Sequence, residues 1–185
     1  MSRESKIFLA GGCFWGLRQL LRQVPGVTRT QVGYCGGTIS RPTYQAKGDH
    51  ADTVEVTFDP GLTSLRNILE VFFQIHDPTT LNRQGRDVGP NYRSAVFFQS
   101  LYQARVARTL IGEMDRSGLW PGRLMTEVTK AGEFWPAEPE HQGYLQRHPN
   151  GFTYYFPRPH WALPKEMPNA PRSRQAREKR ERTEP

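Results

Sequence analysis

Two cysteines, Cys13 and Cys35, are all that the 185 residues contain. That is too few for the disulfide framework of a small secreted domain, so both are expected to be free thiols in a reducing, cytoplasmic setting. Long apolar runs are missing as well: nothing approaches the roughly 18 residues of a membrane span, and the opening MSRESKIFLAGG is too polar for a secretory signal. No membrane association is therefore expected. The five histidines, His50, His76, His141, His148 and His160, show no zinc-like pairing with the cysteines, so no metal is expected. GYCGG is not followed by a helical pattern, which excludes a phosphate-cradling loop and leaves no organic cofactor to expect.

Acidic residues are the minority, 18 against 25 Lys and Arg, for a net charge of +7. Part of that excess sits in residues 164–185, PKEMPNAPRSRQAREKRERTEP, where Met167, Ala170 and Ala176 are the apolar residues. Such a segment cannot bury a face and is expected to be a disordered basic tail. Aromatic residues are not interleaved with its charges, so nucleic acid is not an expected partner. Residues 1–163 then form one domain, long enough for a sizeable core.

Within that domain, strand and helix patterns alternate. KIFLA (6–10) reads as a buried strand, and Leu17, Leu20, Leu21 and Val24 line one face of a helix that Pro25-Gly26 ends. TRTQVGY (28–34) and TVEVTF (53–58) read as strands, the second with Val54, Val56 and Phe58 alternating. SLRNILEVFFQIH (64–76) is a helix stopped by Asp77-Pro78; SAVFFQ (94–99), LYQARVARTLIGEMDR (101–116) and LMTEVTK (124–130) follow as strand, helix and strand. The order β-α-β-β-α-β, with an extra helix and strand, predicts an α+β fold of the ferredoxin-like sandwich type. Residues 35–52 and 77–93 have no such pattern, and irregular segments of that length inside a domain are usually functional.

Cys13 lies in GGCFWG, after a strand and two glycines and at the mouth of a helix. Backbone N–H groups and the positive end of the helix dipole should face its sulfur, which lowers a thiol pKa and favours the nucleophilic thiolate. Gly11 and Gly12 allow a tight turn, while Phe14 and Trp15 supply an apolar wall.

GCFWG, GYCGG (33–37), PTY (42–44), GDHADTVEVTFDP (48–60), HDPTTLNRQGRDVGPNYRS (76–94) and FWPAEPEHQGYL (134–145) together resemble the A-type methionine sulfoxide reductase family. The motifs occur in the family's order across residues 7–152. The resemblance implies a domain that reduces methionine-S-sulfoxide, free or in proteins, to methionine, and so repairs oxidised proteins. Cys13 matches the attacking cysteine and would pass through a sulfenic acid. Asp52 matches the acid that protonates the leaving oxygen, Tyr44 and Tyr92 match the phenols that hydrogen-bond it, and Asp87 matches an aspartate that orients the thiol or its partners. Phe14 and Trp15 match the wall that receives the substrate methyl group. Implied partners are the sulfoxide and a reducing thiol, either thioredoxin, glutaredoxin or a small thiol, acting on a monomer.

Two departures from the family pattern stand out. Asp52 replaces the usual Glu, which shortens the acid by one C–C bond, about 1.5 Å; Asp49 is the fallback acid. The glycine-rich C-terminal stretch that often holds a resolving cysteine reads NGFTYYF, with Thr153 at roughly that place. A sulfenic acid on Cys13 must then condense with Cys35, the possible resolving thiol, or with an external one. Cys35 can equally be a small buried residue with no redox task. These departures leave a non-enzymatic alternative, a degenerate member that binds oxidised methionine or another partner. A papain-like cysteine hydrolase using Cys13 with His148 and Asn150 leaves the other motifs unexplained.

Overall fold

A computed structural model describes residues 4–165. Six strands form one sheet in the order β7-β6-β1-β3-β2-β8, with β1 at Ser5–Gly11, β2 at Val27–Cys35, β3 at Ala51–Phe58, β6 at Ser94–Phe98, β7 at Glu127–Lys130 and β8 at Trp135–Pro136. The four central strands, β6-β1-β3-β2, pair antiparallel in the ferredoxin-like arrangement. β7 adds to one edge in parallel and β8 to the other antiparallel. The expected strand over 124–130 is shorter than its sequence pattern. Leu124 instead buries its side chain and donates its N–H to Asp115 Oδ1 at 2.8 Å, so pairing begins at Glu127.

Three helices, α1 (Phe14–Leu21), α2 (Leu65–Ile75) and α3 (Leu101–Ser117), cover one face of the sheet through a single large apolar cluster. α2 and α3 begin at Ser64 and Ser100, whose hydroxyls accept the N–H groups of Asn67 and Gln103, and α3 ends on Gly118 in the left-handed region. α2 buries Leu65, Ile68, Leu69, Phe72, Phe73 and Ile75; each fully buried side chain of this size contributes roughly 1.5–3 kcal/mol. α1 starts at Phe14, earlier than its leucine spacing suggests, and ends at Leu21 rather than at Pro25.

Every residue of β3 is buried. Its alternation therefore sorts side chains between two covered faces rather than between core and solvent. Val54 and Val56 enter the large cluster under the helices; Ala51, with Cys35, Phe8, Ala10, Ala95 and Phe97, enters a smaller cluster on the opposite face. The chain after β7 covers that second face, where Phe134 stacks on Phe8 at 5.0 Å.

The two patternless segments stay largely irregular. The second carries a small ladder, β4 (Arg83–Gln84) against β5 (Asp87–Val88), and a helical turn at Pro90–Tyr92. A short α4 (Tyr144–Arg147) follows Gly143. Among the described residues no helix is long and apolar enough to cross a membrane. The basic tail lies outside the described residues apart from Pro164 and Lys165.

Candidate active site

β1 ends at Gly11 and α1 begins at Phe14, so Cys13 occupies the N-cap position at the mouth of a cavity of about 250 Å³. Gly12 makes this join possible: its φ is +95°, and a Cβ there would lie 2.2 Å from the Tyr155 hydroxyl and 2.6 Å from Gln84. The cavity brings together Cys13, Trp15, Tyr44, Asp87 and Tyr92, residues drawn from three separate stretches of chain, and Thr153 is part of its wall.

Other expected residues stand back from the cavity. Phe14 is fully buried in the core, where it packs against Tyr34, Tyr44 and His141. It backs the wall rather than forming it. Asp52, only 1% exposed, does not line the cavity and accepts a hydrogen bond from Lys47 Nζ at 2.6 Å. Asp49 is turned away, with its carboxylate accepting from the Thr38 N–H and hydroxyl. Cys35 is fully buried in the small cluster on the opposite face of the sheet from Phe14 and Tyr34.

The electrostatics of Cys13 differ from the expectation of an activated thiolate. Burial pushes the thiol up to about 12, and the Asp52 carboxylate adds to the rise. The Trp15 N–H at the helix start pulls the other way, Asp87 raises it further, and Lys47 lowers it slightly. One N–H at the start of an eight-residue helix does not offset desolvation next to two carboxylates. In the free protein Cys13 is a neutral thiol. Asp52 is itself raised to about 6 by burial, which outweighs the opposing pull of Lys47. Tyr44, raised to about 12 by burial and then by Cys13, keeps its proton at neutral pH.

Several residues that build the site take no role in the sequence reading, although most of them lie inside its motifs. Glu138 accepts from the Tyr44 N–H and from the Tyr34 hydroxyl, both at 2.8 Å, and so fixes Tyr44. Asn91 donates to the carbonyls of Gly48 and His50 at 2.8 and 2.6 Å, tying the turn that carries Tyr92 to the approach of β3. His141 accepts from Trp15 Nε1 at 3.2 Å, and Tyr144 stacks on Trp15 at 4.0 Å. Tyr154 donates a short hydrogen bond to Asp87, and Tyr155 donates to the Gly11 carbonyl at 2.9 Å. The NGFTYYF stretch thus forms part of the cavity wall through residues 151–155, with tyrosines rather than a cysteine at its centre. The spacing of Glu138 or Asn91 gives no hint of these roles, because each acts on a partner about 40 or more residues away.

The sequence profile of the family described as "Peptide methionine sulfoxide reductase" matches residues 5–167. "Peptide methionine sulfoxide reductase MsrA" of Mycobacterium sp. (strain MCS) is 59% identical over 165 residues, which cover 89% of this chain and 96% of the relative. The reduced form of Mxr1 from Saccharomyces cerevisiae superposes with a TM-score of 0.79 at 30% identity, covering 84% of this chain and 93% of that one. Mxr1 in complex with Trx2 aligns with a TM-score of 0.59 at 25% identity over 84% of this chain and 91% of that one. With its ferredoxin-like sheet, a cysteine at the helix mouth and these relatives along nearly its whole length, the chain belongs to the peptide methionine sulfoxide reductase family.

Proposed function

We propose that the chain reduces the S epimer of methionine sulfoxide with Cys13 as nucleophile, that Asp52, Tyr44 and Tyr92 serve the departing oxygen, and that Asp87 orients the thiol or its partners. Family membership carries the reaction class, thiol-dependent reduction of methionine sulfoxide. The assignment of Cys13, Tyr44, Tyr92 and Asp87 rests on one observation, their convergence with Trp15 on a single cavity; Asp52 enters as the family match whose carboxylate lies against Lys47, beside both phenol rings. Trp15, backed by Tyr144, offers the substrate methyl group an apolar face.

The chemistry balances on these groups. The Cys13 sulfur bonds to the sulfoxide sulfur as the substrate S–O bond breaks; water then adds its oxygen to the Cys13 sulfur as the new S–S bond breaks, which releases methionine with its sulfur reduced by two electrons. That oxygen ends on Cys13 as a sulfenic acid, so the thiol is the group oxidised. Asp52 recovers its proton from the water that adds to Cys13, having given it, together with the Cys13 thiol proton, to the departing sulfoxide oxygen. Tyr44 and Tyr92 donate their O–H groups to that oxygen as charge develops on it.

Recycling falls to an external thiol. A disulfide needs Cα atoms within about 7 Å and side chains aimed at each other; Cys35 instead points into the small cluster, where burial raises its thiol to about 11. The complex of Mxr1 with Trx2 supports a thioredoxin as the reductant here, with glutaredoxin or a small thiol as other candidates. The test is methionine released from the separated S and R sulfoxides under dithiothreitol. Turnover of the S epimer by the native chain, with none by Cys13→Ser, is expected. Equal turnover of both epimers contradicts the reading.

A further inference from the structure

Lys47 belongs to none of the motifs that carry the family resemblance; it lies in the short link between PTY and HAD. Its ammonium is nonetheless turned inward, 2.6 Å from Asp52 Oδ1, with side-chain exposures of 11% for the lysine and 1% for the aspartate. The same nitrogen sits 4.6 Å from the centre of the Tyr44 ring and 5.3 Å from that of Tyr92. One cation therefore touches the buried acid and both phenol-bearing rings at once. A lysine on a surface loop ordinarily carries its charge out to water. Holding it here costs desolvation, which the carboxylate and the two ring faces offset only because they are arranged around it.

The surroundings of Asp52 make this contact consequential. Cys13 faces it from the mouth of α1, Tyr34 from the paired position on β2, and Tyr155 from the C-terminal stretch. Asp87 and Tyr92 face it from the 77–93 segment, and Tyr44 from the loop before β3. Burial and Asp87 favour the neutral carboxyl, while Lys47 favours the carboxylate. A proton donor works only while it holds its proton, so the strength of the Lys47 contact bears on when the acid is armed.

We propose that Lys47 is a positioning residue that clamps the shortened Asp52 carboxyl beside Tyr44 and Tyr92 and sets the pH range over which Asp52 carries the proton it delivers to the sulfoxide oxygen. This rests on the reading of Asp52 as the acid given above. The link between Tyr44 and Asp52 thereby acquires a function: it delivers the counter-charge that a short, buried acid needs to stay in place.

Two measurements on the native chain, Lys47→Met and Lys47→Arg test it: the single-turnover rate with methionine-S-sulfoxide from about pH 5 to about pH 9, and a carbon NMR titration of the Asp52 carboxyl without substrate, assigned with Asp52→Asn. In Lys47→Met the loss of activity at high pH and the carboxyl titration both move upward by about one unit or more, because an opposite charge has been removed. Lys47→Arg keeps the cation and keeps both near their native positions. A merely structural lysine would change the rate without moving either midpoint. A carboxyl titration that stays in place in Lys47→Met overturns the proposal alone. A titration that moves while the rate limb stays overturns Asp52 as the acid, and the proposal with it.

Discussion

In the proposed reaction Cys13 attacks without being pre-ionised. Its thiol is pushed up to about 12 chiefly by burial and then by Asp52, so the native chain is expected to alkylate slowly at neutral pH despite the cysteine's position at a helix start. The expected iodoacetamide profile of Cys13 rises only well above pH 9; a midpoint near or below about 8.5 would contradict this picture. In the proposed reaction Asp52 carries the proton that the oxygen needs. Asp52→Asn is expected to lower the single-turnover rate by about 10²–10⁴-fold, and an unchanged rate would move the acid's role to a phenol. The Lys47 contact with Asp52 was not visible in the sequence. Nothing in the spacing shows that a lysine five residues before the acid folds back onto it.

At the level of elements, the site is an assembly of loops pinned by a few distant hydrogen bonds. Glu138, just after β8, holds the Tyr44 backbone and the Tyr34 hydroxyl. Glu138→Ala leaves the buried Tyr34 hydroxyl without its acceptor and frees the Tyr44 loop. A loss of about 1–3 kcal/mol in urea unfolding is expected, together with a raised KM. The C-terminal stretch is pinned differently, by shape. Tyr155 and Thr153 lie against Gly16 on α1, where an added Cβ would meet Tyr155 at 2.2 Å and Thr153 Oγ1 at 2.6 Å. Gly16→Ala should therefore push that stretch out of the cavity wall, costing about 1–3 kcal/mol and slowing turnover. A variant of native stability and rate would show that the stretch does not shape the site. GCFWG was read for its cysteine and its rings, yet its last glycine is what admits Tyr155.

Across the whole molecule, His76 joins the core to the catalytic turn. Its ring is buried between α2 and β6, bonded to the Phe72 carbonyl at 2.6 Å and to Ser94 Oγ at 2.8 Å, and it fills the space where a Cβ on Gly11 would stand. Burial lowers its pKa from 6.5 to about 4, against the favourable pull of the Phe72 carbonyl and Asp77. Between those two values the unfolded chain binds a proton that the folded one refuses. Stability is therefore present above pH 6.5 and falls as pH drops through that window, by about 1.4 kcal/mol per unit from this group. His76→Gln should flatten the slope of urea midpoint against pH over the same range; an unchanged slope would contradict the burial account.

The fold was legible because its elements are strongly patterned: α2 and β3 show their faces directly in the residues. The site was legible in its residue types, since Cys13, Trp15, Tyr44, Tyr92 and Asp87 do meet in one cavity. What stayed hidden depends on which way a side chain turns once the chain has folded. Tyr34 and Cys35 are neighbours in GYCGG yet face opposite sides of the sheet, a consequence of strand alternation in a doubly covered strand. Phe14 follows Cys13 but belongs to the core, because the first turn of α1 carries it under the helix.

The central claim is that Cys13 alone performs the reductive step and is left as a sulfenic acid for an outside thiol to clear. Its most direct test is a single turnover of Cys35→Ser with excess methionine-S-sulfoxide and no reductant, followed by mass analysis of the chain. One methionine per chain and one added oxygen on Cys13 are predicted, with full multiple turnover restored by a dithiol. Failure of Cys35→Ser to recycle under a dithiol that recycles the native chain would contradict the account and return Cys35 to the mechanism.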